Sequence, residues 1–248
     1  MATALITGAT SGIGREIAWQ LAAERMNLIL VARSADRLEE VAEHIRQVAD
    51  VEAEVLPADL SQAEGTLRVC ERLIDDERPV GLLVNNAGFG LGQDFVGGDI
   101  ERELNALNVM VRAVLMTCHA AIPGMVARGG GGILNIASMA ALTAQGTYSA
   151  HKAWVRTFTE GLAASLKGTG VNATVVCPGL VHTEFHEKVD VDPGQWPESA
   201  FIPAERVAAE AIEGVRRGKV VVTPSRRYRA LAGALKVAPR SLVRAVAG

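Results

Sequence analysis

The chain has 248 residues, of which 49% are hydrophobic and 21% are charged, so it can bury a sizeable core and is not a disordered segment. A formal net charge of −3 and an aromatic content of 4% argue against a nucleic-acid binder that depends on bulk positive charge or base stacking. No apolar run reaches the ~18 residues that a membrane span needs.

The cysteines Cys70, Cys118 and Cys177 are widely spaced and odd in number, which favours a reduced compartment. The first residues carry no basic region ahead of their apolar stretch, so the sequence does not predict a secretory signal. We therefore expect a cytoplasmic protein.

Apolar runs alternate with amphipathic stretches along the chain. The runs predict seven β-strands, at residues 2–7, 27–31, 54–57, 80–84, 132–137, 171–176 and 219–223. Helical spacing of apolar residues predicts helices after Gly14, after the N-cap Ser34 and after the capping-box sequence at Ser61, and then at 99–126, 148–166 and 203–217. This alternation indicates an α/β fold, a doubly wound parallel seven-stranded sheet (Rossmann-like) with helices on both faces.

We predict one catalytic domain over residues 1–223 and an extension of the same domain over 224–248. Residues 183–201 are the longest stretch without periodicity and contain Pro193, Gly194 and Pro197. A loop of that length in a compact domain is usually functional, so it is the candidate substrate loop.

Charge is distributed unevenly. Residues 216–248 hold nine Lys or Arg and no Asp or Glu, which leaves the rest of the chain with a net charge of −12. After Pro224 the sequence is typical of a basic amphipathic helix, interrupted at Pro239. Such a helix can contact an anionic membrane surface. The acidic body of the protein favours instead a helix that packs on its own chain or on a partner subunit.

A glycine turn joins the first strand to the first helix, with the spacing Gly8-x-x-x-Gly12-x-Gly14. Glycines there let a backbone approach a pyrophosphate, and the helix N-terminus favours negative charge. The spacing differs from GxGxxG, so a tight turn without a ligand remains an alternative for this motif alone.

The end of the second strand bears on the choice of cofactor. An acidic residue there would bind a ribose 2′-hydroxyl, whereas a basic one accommodates a 2′-phosphate. The strand ends at Arg33 with no carboxylate, and Arg15 follows the glycine turn. Both favour NADP(H) over NAD(H), unless Arg33 is a solvated loop charge.

Taken in order, the motifs resemble the short-chain dehydrogenase/reductase family in its compact single-domain branch. They are the turn at 7–14, Asp59-Leu60, Asn85-Asn86-Ala87-Gly88, Asn108, Ser138, the YxxxK pair Tyr148 and Lys152, and Pro178-Gly179 with Thr183. The resemblance covers about residues 1–223. Ser138 precedes Tyr148 by ten residues, fewer than in much of the family, so the wall of the substrate pocket is expected to differ.

The resemblance implies two sets of site residues. The catalytic set is Asn108, Ser138, Tyr148 and Lys152. The cofactor-binding set is Gly8, Thr10, Ser11, Gly12, Ile13, Gly14, Arg33, Asp59, Leu60, Asn86, Ala87, Gly88, Tyr148, Lys152, Pro178, Gly179, Val181 and Thr183. It also implies a homodimer or homotetramer built through the helices that carry Asn108 and Tyr148.

The chemistry follows from the pair at helical spacing. Tyr148 can give a proton to a carbonyl oxygen, although a free tyrosine has a pKa of about 10. Lys152 lies one turn further along the helix, and its ammonium is expected to lower the pKa of Tyr148. The sequence thus predicts an NADP(H)-dependent oxidoreductase that interconverts a carbonyl and a secondary alcohol, on a lipophilic small molecule. The alternatives are a 3-oxoacyl reductase and a silent nucleotide-sensing protein.

Other histidines are weaker candidates. His182 and His186 stand four residues apart, but the intervening acid is displaced from the HExxH position, so we predict no metal site. His151 lies inside the YxxxK segment and is expected to be structural.

Overall fold

A computed structural model describes residues 2–183 and 196–247. Its strands are β1 Thr3–Thr7, β2 Asn27–Ala32, β3 Ala53–Pro57, β4 Leu82–Asn85, β5 Gly131–Ile136, β6 Val171–Val176 and β7 Val221–Val222. Its helices are α1 Gly12–Ala23, α2 Ala35–Val48, α3 Ala63–Leu73, α4 Ile100–Leu107, α5 Ala113–Ala127, α6 Gly146–Ser165, α7 Ala204–Arg216, α8 Arg226–Val237 and α9 Arg240–Ala247.

The strands form a seven-stranded sheet in the order β3-β2-β1-β4-β5-β6-β7. Every pair is parallel, which confirms the predicted doubly wound fold. The chain moves outward from β1 to β3 and then returns to the other side of β1 as β4. This reversal opens a crevice at the carboxyl ends of β1 and β4, where such sheets bind ligands.

Two layers of helices cover the sheet because neighbouring strand residues point to opposite faces. Ile6 belongs to the core beneath α1, α2 and α7, whereas the adjacent Leu5 belongs to the core beneath α3, α5 and α6. Both side chains are fully buried. The unbroken apolar strand runs of the sequence therefore fill two cores at once.

A buried polar network ties the second core together. Asn135 on β5 accepts from Asn85 Nδ2 at 2.9 Å and donates to Thr159 Oγ1 on α6 at 2.9 Å. Thr117 on α5 donates to Asn85 Oδ1 at 2.9 Å. The four residues join two central strands to the two helices that border the candidate site, so their amides and hydroxyls are satisfied away from water.

Several local features differ from the sequence prediction. Ser61 does not cap α3, because its hydroxyl and amide both donate to Asp59 Oδ1, and the helix begins at Ala63 without a side-chain cap. The predicted helix 99–126 is interrupted by a wide π turn, Asn108–Arg112. The loop after Ser138 contains a short 3₁₀ helix, Met139–Leu142. The last strand is two residues long.

The C-terminal extension forms two helices, α8 and α9, that break at Ala238 and Pro239 as expected. Ala232 and Val243 are buried against the body, whereas Leu231, Val237 and Leu242 are exposed, so only part of the apolar pattern packs on the chain itself. By length and composition the stretch Ile100–Ala127, with a mean hydropathy of 1.6, is apolar enough to cross a membrane. A core helix passes the same test, and part of this stretch is buried in the protein.

We expect Asn135→Leu to lower the free energy of unfolding by on the order of 2–5 kcal/mol, because in a dry core Asn85 Nδ2 keeps only the weak acceptor Cys118 Sγ and Thr159 Oγ1 loses its donor. Urea unfolding measures the change. Asn27→Leu is the matched control, since Asn27 Oδ1 accepts one bond from the Glu52 amide at an exposed end of β2. Equal losses in the two variants would contradict the structural role of the network.

Candidate active site

The glycine turn packs tightly against the end of β4. Gly8 and Gly12 have φ angles of +68° and +53°, in the left-handed region that favours glycine. A Cβ on Gly14 would overlap Asn86 Nδ2 and the Gly8 carbonyl. α1 then begins with no side-chain cap from Ser11 and no acid in its first turn, which leaves its N-terminal amides to an anion.

Asn86 locks this turn in place. Its Nδ2 donates to the carbonyls of Thr7 and Gly8 at 3.0 and 3.2 Å. Thr7 Oγ1 in turn accepts from the amides of Asn86 and Ala87 at 3.0 and 3.1 Å. The side chain of Asn86 is thus committed to joining β1 to β4, and it positions the turn.

The far end of the crevice carries Arg33 and Asp59. Arg33 is exposed at the end of β2, and within residues 2–183 and 196–247 its guanidinium has no hydrogen-bond partner. Asp59 Oδ1 accepts from both the amide and the hydroxyl of Ser61, and Leu60 is buried beside it. A free cation at this position fits a 2′-phosphate.

Lys152 is buried behind the crevice. Its Nζ donates to the Ile136 carbonyl at 2.9 Å, and a Cβ on Gly88 would stand 3.2 Å from it. Burial lowers the pKa of Lys152 to about 8, because the ammonium loses water that one carbonyl does not replace. The same Nζ lies 5.7 Å from the centre of the Tyr148 ring.

Tyr148 and Ser138 are brought together as predicted by their order in the chain. The side chain of Ser138 hydrogen-bonds Tyr148, while Ser138 Oγ also accepts from the Ala140 amide at 3.1 Å. Burial raises the pKa of Tyr148 to about 12, and the hydrogen bond from Ser138 opposes this. The predicted lowering by Lys152 is therefore wrong in direction for this structure, because desolvation of a phenolate outweighs a cation that faces the ring.

Asn108 stands at the start of the π turn, and its Nδ2 donates to the Ser61 carbonyl at 3.0 Å. Its side chain thus contacts the loop after β3. A π turn frees a backbone carbonyl from its usual helical partner and recurs at functional sites. Nothing in the apolar spacing of residues 99–126 signals the turn, since neither glycine nor proline occurs between Asn108 and Arg112.

The segment after β6 closes the crevice on its other side. The Pro178 carbonyl accepts from the Met139 amide at 2.8 Å, which joins this segment to the 3₁₀ helix after Ser138. Thr183 lies against the turn, since a Cβ on Gly12 would be 3.0 Å from Thr183 Cγ2. Val181 is buried and pairs with Ile202 in an isolated parallel bridge.

One residue at the site was missed by the sequence reasoning. The ring of Tyr228 on α8 lies where a Cβ of Gly179 would be, and its hydroxyl accepts from the Leu180 amide at 3.2 Å. The hydroxyl also donates to the Ala200 carbonyl at 2.9 Å. Only the position of Tyr228 in the basic amphipathic pattern marked it beforehand.

The remaining histidines have other surroundings. His182 hydrogen-bonds Glu198 at 2.7 Å and stacks on Phe201 at 4.1 Å, and its neighbour His186 lies outside the described residues. His151 is buried with no partner for Nδ1, and burial lowers its pKa. No group of three His, Cys, Asp or Glu able to hold a metal comes together in the part of the chain that the structure describes.

Comparison with known proteins points in one direction. The sequence model of the family described as short chain dehydrogenase matches residues 2–193. An uncharacterized oxidoreductase of Staphylococcus saprophyticus is 34% identical over 207 residues, 80% of this chain and 88% of that protein. Sulfoacetaldehyde reductase 2 of Chromohalobacter salexigens is 37% identical over 186 residues, 73% of each chain. A short-chain dehydrogenase from Sphingobium yanoikuyae, solved in complex with NADPH, has a TM-score of 0.87 at 32% identity and covers 95% of this chain and 94% of its own.

The burial of Lys152 makes a prediction about pH. With a pKa of about 8 in the folded chain against 10.5 in the unfolded chain, its contribution to stability is present at high pH and lost as the pH falls toward 8. We expect the free energy of unfolding of the wild type minus that of Lys152→Met to rise by about 2 kcal/mol between pH 8 and pH 10. Urea unfolding at a series of pH values measures it, and a constant difference would contradict the burial of a strained ammonium.

Proposed function

The chain belongs to the short-chain dehydrogenase family, and on that premise we propose that it is an NADP(H)-dependent oxidoreductase that interconverts a carbonyl group and a secondary alcohol of a lipophilic small molecule. The observation that carries the proposal is the hydrogen bond between Ser138 and Tyr148, with the Lys152 ammonium 5.7 Å from the tyrosine ring. Neighbours and relatives that are oxidoreductases support it.

The crevice fits a dinucleotide by its own chemistry. The uncapped start of α1 suits a pyrophosphate, and the close approach of Gly8, Gly14 and Asn86 leaves the turn without side-chain bulk. Arg33 offers an exposed guanidinium for a 2′-phosphate, and Thr183 borders the turn at Gly12. When bound, the nicotinamide of the cofactor supplies or accepts the hydride.

The protein's own residues handle the proton. Since the pKa of Tyr148 is about 12, its hydroxyl is protonated at neutral pH and can donate to a carbonyl oxygen held by Ser138. As hydride reaches the carbonyl carbon, this proton moves to the oxygen and the product is an alcohol. The ammonium of Lys152 stabilises the phenolate that Tyr148 leaves behind, and reversal of the steps oxidises an alcohol.

We infer that apolar residues wall the substrate pocket beside Ser138. Met139 of the 3₁₀ helix is buried, Ala140 and Leu142 are half-buried, and Val181 is buried across the crevice. These walls favour a lipophilic body next to the reacting carbonyl, because they offer it contact in place of water.

The outer face of α6 supports the proposed homodimer or homotetramer. Trp154 and Phe158 stack at 4.7 Å along a groove on that helix, and Leu115 on α5 is exposed. Aromatic and aliphatic side chains of this kind are enriched at the cores of subunit interfaces. A second copy that places the same helices against this face would bury them.

We expect Tyr148→Phe to lower kcat by about 100-fold or more while NADPH binding is retained, because the variant loses the proton donor alone. NADPH oxidation with a ketone panel and NADPH fluorescence titration measure the two quantities. Ser165→Ala, which removes a hydroxyl from the far end of α6, is the control. Unchanged turnover in Tyr148→Phe, or no turnover by the wild type despite NADPH binding, would favour the nucleotide-sensing alternative.

We expect a preference for NADPH over NADH of about 10-fold or more, carried by a charge-assisted contact from Arg33. Arg33→Ala should raise the Kd for NADPH about 10- to 100-fold and leave the Kd for NADH unchanged. The control is Arg25→Gln, since Arg25 is exposed ahead of the opposite end of β2. A wild-type preference for NADH would remove Arg33 from the cofactor site.

A further inference from the structure

The C-terminal arm, residues 224–247, is fixed to the substrate side of the crevice. Tyr228 joins it to Leu180, which follows β6, and to Ala200, which precedes α7. Ala232 and Val243 anchor the two helices by burial. The charges of the arm are therefore held at defined positions on the protein.

Two basic side chains of the arm hold backbone carbonyls of the body. Arg227 Nη1 donates to the Ser199 carbonyl at 3.2 Å, and Arg240 Nη1 donates to the Leu142 carbonyl at 3.3 Å. Arg240 is the more informative, because Leu142 ends the 3₁₀ helix that follows Ser138.

Among the described residues, this positive charge has no ion-pair partner. The arm holds six Lys or Arg and no Asp or Glu, and within residues 2–183 and 196–247 none of the six forms an ion pair. Basic residues elsewhere do pair, as Arg206 does with Glu210 and Arg216 with Glu24. Beside an otherwise acidic body, such a group concentrates anions at the rim of the pocket.

The arm is poorly suited to a lipid surface. If α8 lay on a membrane, its apolar positions would insert into the lipid. One of them, Ala232, is buried against the body instead. The exposed Leu231 and Val237 are six residues apart, about 120° around the helix, so they do not form one apolar face. What the arm presents to the crevice is charge, next to an apolar pocket.

We propose that the substrate is an oxo acid, whose carbonyl binds at Ser138 and Tyr148 and whose anionic group is held by Arg240. The inference rests on the proposed function and adds the substrate class. Leu142 lies about 8 Å along the 3₁₀ helix from Ser138 at ~2 Å per residue. The carbonyl carbon and the anion are therefore separated by roughly four to seven bonds, with apolar chain between them against the pocket wall.

The test compares keto acids with their methyl esters on the full-length protein. The series is 4-oxopentanoate, 5-oxohexanoate and 7-oxooctanoate, each with its ester, and kcat/KM is measured with saturating NADPH. We expect the acid to exceed its ester about 10-fold or more at the best chain length, and the preference to shrink at high salt. Esters keep the ketone and the apolar chain, so the ratio isolates the negative charge.

Variants then locate the charge. Arg240→Gln should lower kcat/KM for the acid about 10-fold through KM, with the ester and the Kd for NADPH unchanged, and Arg240→Lys should restore part of the loss. Lys167→Gln, an exposed charge removed beyond the far end of α6, should change nothing. Thermal melts confirm that the variants are folded.

The outcomes are separable. Esters that match the acids at every length, or a loss of both substrates alike in Arg240→Gln, overturn the proposal. So does turnover of neutral ketones with no turnover of the acids, while the proposed oxidoreductase function stands. Turnover of no carbonyl at all overturns the proposed function itself. If the acid preference is absent and the wild type binds phosphatidylglycerol vesicles through Arg240, the arm is a membrane contact and the inference is wrong.

Discussion

The amide of Asn86 is the contact on which the rest of the site depends. By bonding to the carbonyls of Thr7 and Gly8 it joins the ends of β1 and β4 at the point where the sheet reverses direction. The turn can approach so closely only because Gly8 and Gly14 have no side chains. Two residues after Asn86, Gly88 packs close to the buried ammonium of Lys152, so the cofactor side and the proton-transfer side share one support.

The two groups proposed to transfer the proton, Tyr148 and Lys152, are buried in surroundings that disfavour charge. Lys152 is held charged with a single carbonyl partner and Tyr148 is held neutral by the same dry surroundings, so burial moves the pKa of Tyr148 up to about 12 and that of Lys152 down to about 8, away from each other. Such displaced pKa values are typical of sites where protons are transferred. Further from Tyr148, the body of the protein is acidic and the arm is cationic, so the sign of the charge varies along the path from solvent to Tyr148.

The sequence predicted the sheet, the glycine turn and the pairing of Ser138 with Tyr148, because each is written in a local pattern or in the order of motifs along parallel strands. The prediction that Ser61 caps a helix was wrong, and it shows the limit of a local pattern, because the Ser61 hydroxyl donates to Asp59 instead. The π turn at Asn108 and the raised pKa of Tyr148 depend on packing and burial, which spacing does not encode. The docking of Tyr228 on Gly179 joins residues 49 positions apart and was equally invisible.

That last contact constrains substitutions in two distant segments together. An aromatic ring fills the space that any side chain at position 179 would need, so the two positions form a complementary pair of sizes. A larger residue at 179 is tolerated only with a smaller one at 228, and the arm cannot be exchanged for that of a relative without regard to the segment after β6. Chimaeras that swap these helices between relatives should therefore carry both positions from the same parent.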